Sequence, residues 1–120
     1  MEKNYDLESR TEEFARKCRQ FVCQAVKTLS NIEDFKQLVR SSGSTAANYI
    51  EANESLSNKD YFFRARICRK EAKESHLWLK LIDVWLNYNL AKMQKELTDE
   101  AMQLARIFCA IVNKQKNNQL

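Results

Sequence analysis

The chain contains no proline, and its one glycine, Gly43, lies in a run of seven small residues, Ser41 to Ala47. Taken alone, such a run reads as a linker. Yet Ile32, Phe35, Val39, Ser42, Ala46, Tyr49 and Asn53 recur at steps of three and four straight through it, the period of one helix face. A linker has no reason to keep that phase. Serine, threonine and glycine are weak helix formers, together about 3 kcal/mol worse than alanine over this run. Packing against neighbours has to offset that deficit, and small side chains let backbones approach closely enough to do so. The expectation is a continuous helix over Arg40 to Asn53, with two short helices around a real break as the alternative.

One helix of this kind needs partners, and the composition supplies them. At 120 residues the chain is long enough for a single domain, 1–120, with a modest core. One glycine, no proline and 30% charged residues favour helices over strands. A first helix is expected over about 7–27, where Phe14, Cys18, Phe21, Val22, Ala25 and Leu29 share one face. Ser30 followed by Glu33 has the form of a capping box opening the second, over about 31–55. Ser57 or Asn58 caps the third, over about 58–87, whose seam is Ala65, Cys68, Ala72, Ser75, Leu79, Ile82 and Leu86. The fourth is expected over about 91–114 on Met93, Leu97, Ala101, Leu104, Phe108 and Ile111, with a tail that frays. Four amphipathic helices joined by short connections predict an all-α, antiparallel up-down four-helix bundle.

The second half of the third helix is apolar almost all round, with Leu77, Trp78, Leu81, Val84, Trp85 and Tyr88 flanking the seam. Such a helix needs cover on several sides. Self-association is therefore expected, with Trp78 and Trp85 as candidate contacts between subunits. Cover by the fourth helix and the loops is the alternative.

Several function classes lack the residues they need. The apolar stretch "LWLKLIDVWLNYNL" is broken by Lys80, Asp83 and Asn87, so no membrane span is expected. The charged beginning "MEKNYDLESR" does not read as a signal peptide. With Cys18, Cys23, Cys68 and Cys109 in no metal or redox spacing, and Cys18 and Cys68 on apolar seams, a cytoplasmic protein with reduced thiols is expected. Glu51 with Glu54, and Glu71 with Glu74, have bundle-metal spacing, but the single histidine, His76, stands out of step with both. No phosphate-cradling glycine loop and no histidine partner for a cysteine nucleophile are present. No catalytic activity, metal, cofactor or small-molecule substrate is expected.

The charge pattern is more informative. The net charge is +4, and between Lys59 and Lys80 seven basic residues face three acidic ones. Arg66, Arg69, Lys70, Lys73 and Lys80 lie along one side of the third helix, a row able to follow phosphates. With few aromatics nearby, binding of RNA there would be sequence-tolerant and salt-sensitive. An ordinary solvated helix face explains the same residues.

With the helices placed, the sequence resembles the four-helix-bundle proteins of the 23S rRNA intervening-sequence type. The likeness runs from "YDLESRT" to "RIFCAIV" and is most specific in "LVRSSGSTAANYIEANESLSNKDYFFRARICRKEAKES" and "WLKLID". A family pattern of Arg, Ser, Asn and Glu falls on Arg40, Ser44, Asn48 and Glu51, and a further signature glutamate on Glu74. The resemblance implies a left-handed bundle that assembles as a homopentamer, and a ribosomal-protein-like role without established catalysis. More distantly the chain is similar to pentameric accessory proteins of diversity-generating retroelements, which bind nucleic acid and a reverse transcriptase. Two readings stay open: a protein binding RNA or a ribonucleoprotein, and an oligomeric scaffold for a protein partner. For the motif itself, Arg40 and Glu74 stand equally far from a turn near Ser57 and are expected to pair, with Asn48 and Glu51 extending the network.

Overall fold

The computed structural model describes the backbone of residues 2–118 and the side chains of residues 7–115. Four helices account for almost all of it: α1 (Glu2–Gln24), α2 (Leu29–Asn53), α3 (Asn58–Leu81) and α4 (Tyr88–Asn118). No strand occurs among the described residues. Each helix packs on the one before it and the one after it, and α4 closes back on α1, giving a four-helix bundle 50 × 25 × 19 Å across.

The small-residue run is helix throughout, as its phase requires. Ser41, Ser42, Thr45 and Ala46 are buried, and their hydroxyls are satisfied nearby. Ser41 Oγ and Ser75 Oγ lie 2.7 Å apart, and Thr45 Oγ1 donates to the Ser41 carbonyl at 2.9 Å. The buried stripe is rotated from the expected seam: Leu38 and Ala52 are in the core, while Ile32 is exposed and Val39 half-buried. Gly43 is only half-buried, has no positive φ, and faces the Arg19 guanidinium rather than a backbone. Close approach between helices is thus the work of the serines, threonine and alanine.

Phe14, Phe21, Leu38, Tyr49, Leu79, Leu104 and Phe108 fill the core, with Tyr49 tilted onto Phe108 at 5.6 Å between ring centroids. Cys18 and Cys68 are buried free thiols, as their seam positions suggest. The helix ends differ from expectation in ways the local contacts explain. α1 stops at Gln24, and Leu29 is 83% exposed rather than part of its face. The cap of α2 is Thr28, whose side chain accepts from the Asn31 amide, so Ser30 and Glu33 form no opening box. α2 ends at Asn53, two residues short of the expected 55. Ser57 caps α3 through the Asp60 amide. α4 begins at Tyr88, three residues before the expected 91, because Asn87 Oδ1 accepts from the Leu90 amide. It continues helical through Asn118, beyond the expected 114; 119–120 lie outside the described residues.

The largest difference is at the end of α3. The helix was expected to reach 87 but ends at Leu81, and Leu86 is 99% exposed. Side chains from two other helices hold the released backbone. Gln94 Nε2 donates to the Leu79 and Ile82 carbonyls at 2.7 Å each. Asn31, fully buried, donates to the Asp83 and Val26 carbonyls and accepts from the Asp83 amide. The connection then turns through Trp85, a non-glycine residue at φ 53°, whose amide is held by Asp83 Oδ1. That conformation costs of order 1 kcal/mol and persists only where the surroundings enforce it.

Candidate nucleic-acid interface and the polar network of α2 and α3

Successive residues of a helix are 100° apart, so Arg66, Arg69, Lys70, Lys73 and Lys80 fall within one side of α3, turned away from the core and toward α4. Arg69 is half-buried and the other four are exposed. Arg66 donates to Gln115 Oε1 on α4. None of the five has a carboxylate within salt-bridge distance among the described residues, nor does Arg106 across the groove. Elsewhere Arg10 forks onto Glu100 at 2.7 and 2.8 Å, tying α1 to α4, and Arg16 is shared by Glu12 and Glu13 within α1.

His76 lies on the same side of α3, half-buried in the α3–α4 groove. Burial and the nearby Lys80 hold its pKa below the usual imidazole value, against a smaller opposing pull from Asp99. The row also has an aromatic neighbour that helix periodicity did not single out. Phe63, one turn before Arg66 and Ile67, is 54% exposed, with the Arg64 guanidinium over its ring at 5.9 Å. An apolar residue on the polar side of a helix wheel was the available signal.

The family-motif residues divide into two groups. Arg40 spans from α2 to α3: Nη2 donates to Glu74 at 2.9 Å, Nη1 to Glu71 at 3.2 Å, and Nε to Gln37 at 3.3 Å. Arg40 and Glu74 do meet, but the guanidinium is divided between two carboxylates rather than forked onto one. Glu71 is the more enclosed partner, its side chain 8% exposed against 33% for Glu74. The sequence alone suggests Glu71 only as half of a Glu71–Glu74 metal spacing or as a solvated charge, because its enclosure depends on how closely α2 approaches. Asn48 belongs elsewhere. It donates to the Ser44 carbonyl and hydroxyl and accepts from Arg64, 16 residues on. Glu51 is exposed, so the expected extension of one network through Asn48 and Glu51 does not form. Arg40 and Asn48 stand eight residues apart on α2, about 12 Å along its axis, so the two groups lie at different heights.

Trp78 packs against the core from the edge of α3, with its indole N–H enclosed and without an acceptor among the described residues. Trp85 is 58% exposed at one end of the bundle, beside exposed Leu81, Leu86 and Tyr88. Among the described residues, no three His, Cys, Asp or Glu converge on a metal-sized space, and no helix is long and apolar enough to cross a membrane.

The fold and these surfaces define an all-α four-helix bundle whose α3 carries a row of basic residues with no carboxylate partner among the described residues. No family model and no curated protein matches the sequence. A solved structure does match: a protein of unknown function from the S23 ribosomal protein family of Bacteroides thetaiotaomicron VPI-5482. The TM-score is 0.73 at 24% sequence identity, over 92% of this chain and 98% of that one. The likeness extends across the whole bundle and shows the fold.

Proposed function

We propose that this chain is a non-catalytic, cytoplasmic, ribosomal-protein-like bundle that self-associates and binds RNA along the basic face of α3. The observation that carries the reading is the row Arg66, Arg69, Lys70, Lys73 and Lys80, left without carboxylate partners among the described residues while Arg10, Arg16 and Arg40 elsewhere are paired. Unneutralised cations on a rigid helix condense a polyanion by releasing its counterions. Phe63 offers a face on which a base can stack. The S23 family name of the structural neighbour agrees with the resemblance to the rRNA intervening-sequence proteins. An up-down arrangement is supported by pairings between α2 and α3 of residues roughly equidistant from the 54–57 connection, such as Ser41 with Ser75 and Asn48 with Arg64; left-handedness is what the resemblance implies. The four free cysteines fit a reducing compartment.

Filter binding of single-stranded RNA at two salt concentrations tests this. Five phosphate contacts give a slope of log affinity on log salt of about −3.5, so affinity falls roughly 100-fold between 50 and 200 mM salt. No binding at the lower salt refutes the reading.

A second reading, an oligomeric scaffold for a protein partner, is favoured by the apolar end of the bundle. Leu29, Trp85, Leu86 and Tyr88 are each more than half exposed there, on a connection held rigid by Asn31 and Gln94. Monomers seldom present so much apolar surface without a use for it. The resemblance implies a homopentamer, and the apolar circumference of the third helix puts Trp78 or Trp85 at or near a subunit contact. Light scattering that returns a monomer mass at micromolar concentration refutes self-association.

A further inference from the structure

The groove between α3 and α4 opens into a cleft of about 160 Å³, lined by Lys73, His76, Met102, Ala105, Arg106 and Cys109. Its size limits what it holds. At ~30 Å³ per water it has room for about five, and it falls below the ~300–1,000 Å³ of sites that enclose a whole cofactor or drug-sized ligand. One flat heterocycle fits; a larger molecule has to lie mostly outside.

The lining has two chemical halves. Met102 and Ala105 give an apolar floor, and methionine sulfur is a soft, polarisable partner for an aromatic ring. Lys73 and Arg106 stand exposed on opposite walls, and neither has a carboxylate partner among the described residues. Two cations facing each other across a groove repel unless an anion lies between them. His76 adds a ring with one hydrogen-bond donor and one acceptor when neutral. The charged groups around it are Lys73 and Lys80 on its own helix, and Asp99 and Arg106 on α4.

We propose that this cleft is a nucleotide subsite for single-stranded RNA: an unpaired base enters against Met102 and Ala105 beside His76, and its phosphate lies between Lys73 and Arg106. The inference rests on the RNA-binding reading and adds to it a place where one base leaves the backbone track. The subsite lies in the middle of the basic row, with Arg69 and Arg66 on one side and Lys80 on the other. A strand following the row therefore passes over it.

The test compares a single-stranded RNA of about 12 nucleotides, within the usual ~4–16-nucleotide site range, with the same strand made abasic at every position. Fluorescence anisotropy is read at low and moderate salt, on the full chain. Measured in a Phe63→Ala background, which removes the other exposed stacking face, the intact strand is expected to bind about tenfold more tightly than the abasic one, the scale of one stacked base. His76→Ala and Met102→Ala, two half-buried positions whose helicity is checked by circular dichroism, are each expected to shrink that ratio toward one while leaving the salt slope unchanged. Equal affinity of intact and abasic strands overturns the subsite and leaves RNA binding standing. A tenfold ratio that survives both substitutions overturns it as well, since the base then lies elsewhere. Absence of binding by either strand at low salt overturns both the subsite and the RNA reading.

Discussion

Arg40 offers the sharpest test of what the motif does. Replacing it with alanine removes the side-chain partner of Glu71, a carboxylate 8% exposed, and one partner of Glu74, which is 33% exposed. Breaking a fully buried ion pair costs about 3–5 kcal/mol, because the surviving charge is left without water or counterion. Exposed pairs are worth about 0–1 kcal/mol. Arg40 is itself 50% exposed, so water reaches the vacated site, and Arg40→Ala is expected to cost about 2 kcal/mol, between these limits. Glu71→Gln keeps the shape, leaves Arg40 on Glu74 and solvent, and costs about 1 kcal/mol. Once Glu71 is neutral, losing Arg40 no longer strands a charge. The double variant Arg40→Ala/Glu71→Gln is therefore expected to fall about 1 kcal/mol short of the sum of the singles. The same cycle with Glu74→Gln should show at most about 0.5 kcal/mol of coupling, since solvent screens that carboxylate already. Urea unfolding at one fixed protein concentration reads these differences, because a slope of ~1–3 kcal/mol per molar turns 1 kcal/mol into a midpoint shift of about 0.3–1 M. Losses at Arg40 and Glu71 that add within about 0.3–0.5 kcal/mol would refute the argument, as would coupling to Glu74 equal to that with Glu71.

Asn31→Ala removes three hydrogen bonds that join the two connections at one end of the bundle. It is expected to cost about 2–4 kcal/mol by thermal unfolding, the scale of losing a bond while leaving buried backbone groups unpaired; an effect under 0.5 kcal/mol would mean that solvent replaces it freely. Within the small-residue run the two positions should respond in opposite directions. Ser42→Leu, at a fully buried site, destabilises by about 1–3 kcal/mol, while Gly43→Ala stabilises by about 0.5–1 kcal/mol, because its new Cβ meets only the movable tip of Arg19 at 3.1 Å. Equal destabilisation at both in chemical denaturation would contradict this. Burial pushes the Cys18 and Cys68 thiols up from 9.0 to about 12. Thiol titration of the native protein at pH 8 should label the exposed Cys23 rapidly and the half-buried Cys109 more slowly, with Cys18 and Cys68 reacting only on unfolding. The unfolded chain releases those protons near 9.0 while the folded chain holds them to about 12, so their contribution to stability is complete below pH 9 and is lost as pH rises toward 12. A stability that is flat or rising between pH 9 and 11 would contradict the burial of both thiols.

The sequence by itself determined that the chain is helical, that it has four helices, and that the small-residue run is part of one. Each of these follows from a periodic signal summed over many residues, as in the steps from Phe35 to Tyr49, where one weak helix former cannot outvote the pattern. It also placed Cys18, Cys68 and Ser75 in the core and brought Arg40 opposite Glu74 through simple counting from the turn. What it did not determine was decided by single side chains from distant parts of the chain. Ile82 and Leu86 continue the α3 period, yet the helix ends at Leu81, because Gln94 and Asn31 compete for the backbone groups that another turn would have used. Glu71 looked like a solvated charge until the approach of α2 enclosed it beside Arg40. The basic row was legible as a composition of α3, but its lack of carboxylate partners depends on what α4 sets beside it: α4 supplies Gln115 and Arg106 there, and its Asp99 pairs with Lys95. Periodicity is a local property that one helix carries alone. Helix ends, ion pairs and the cleft at His76 are relations between helices, and they exist only once the bundle has closed.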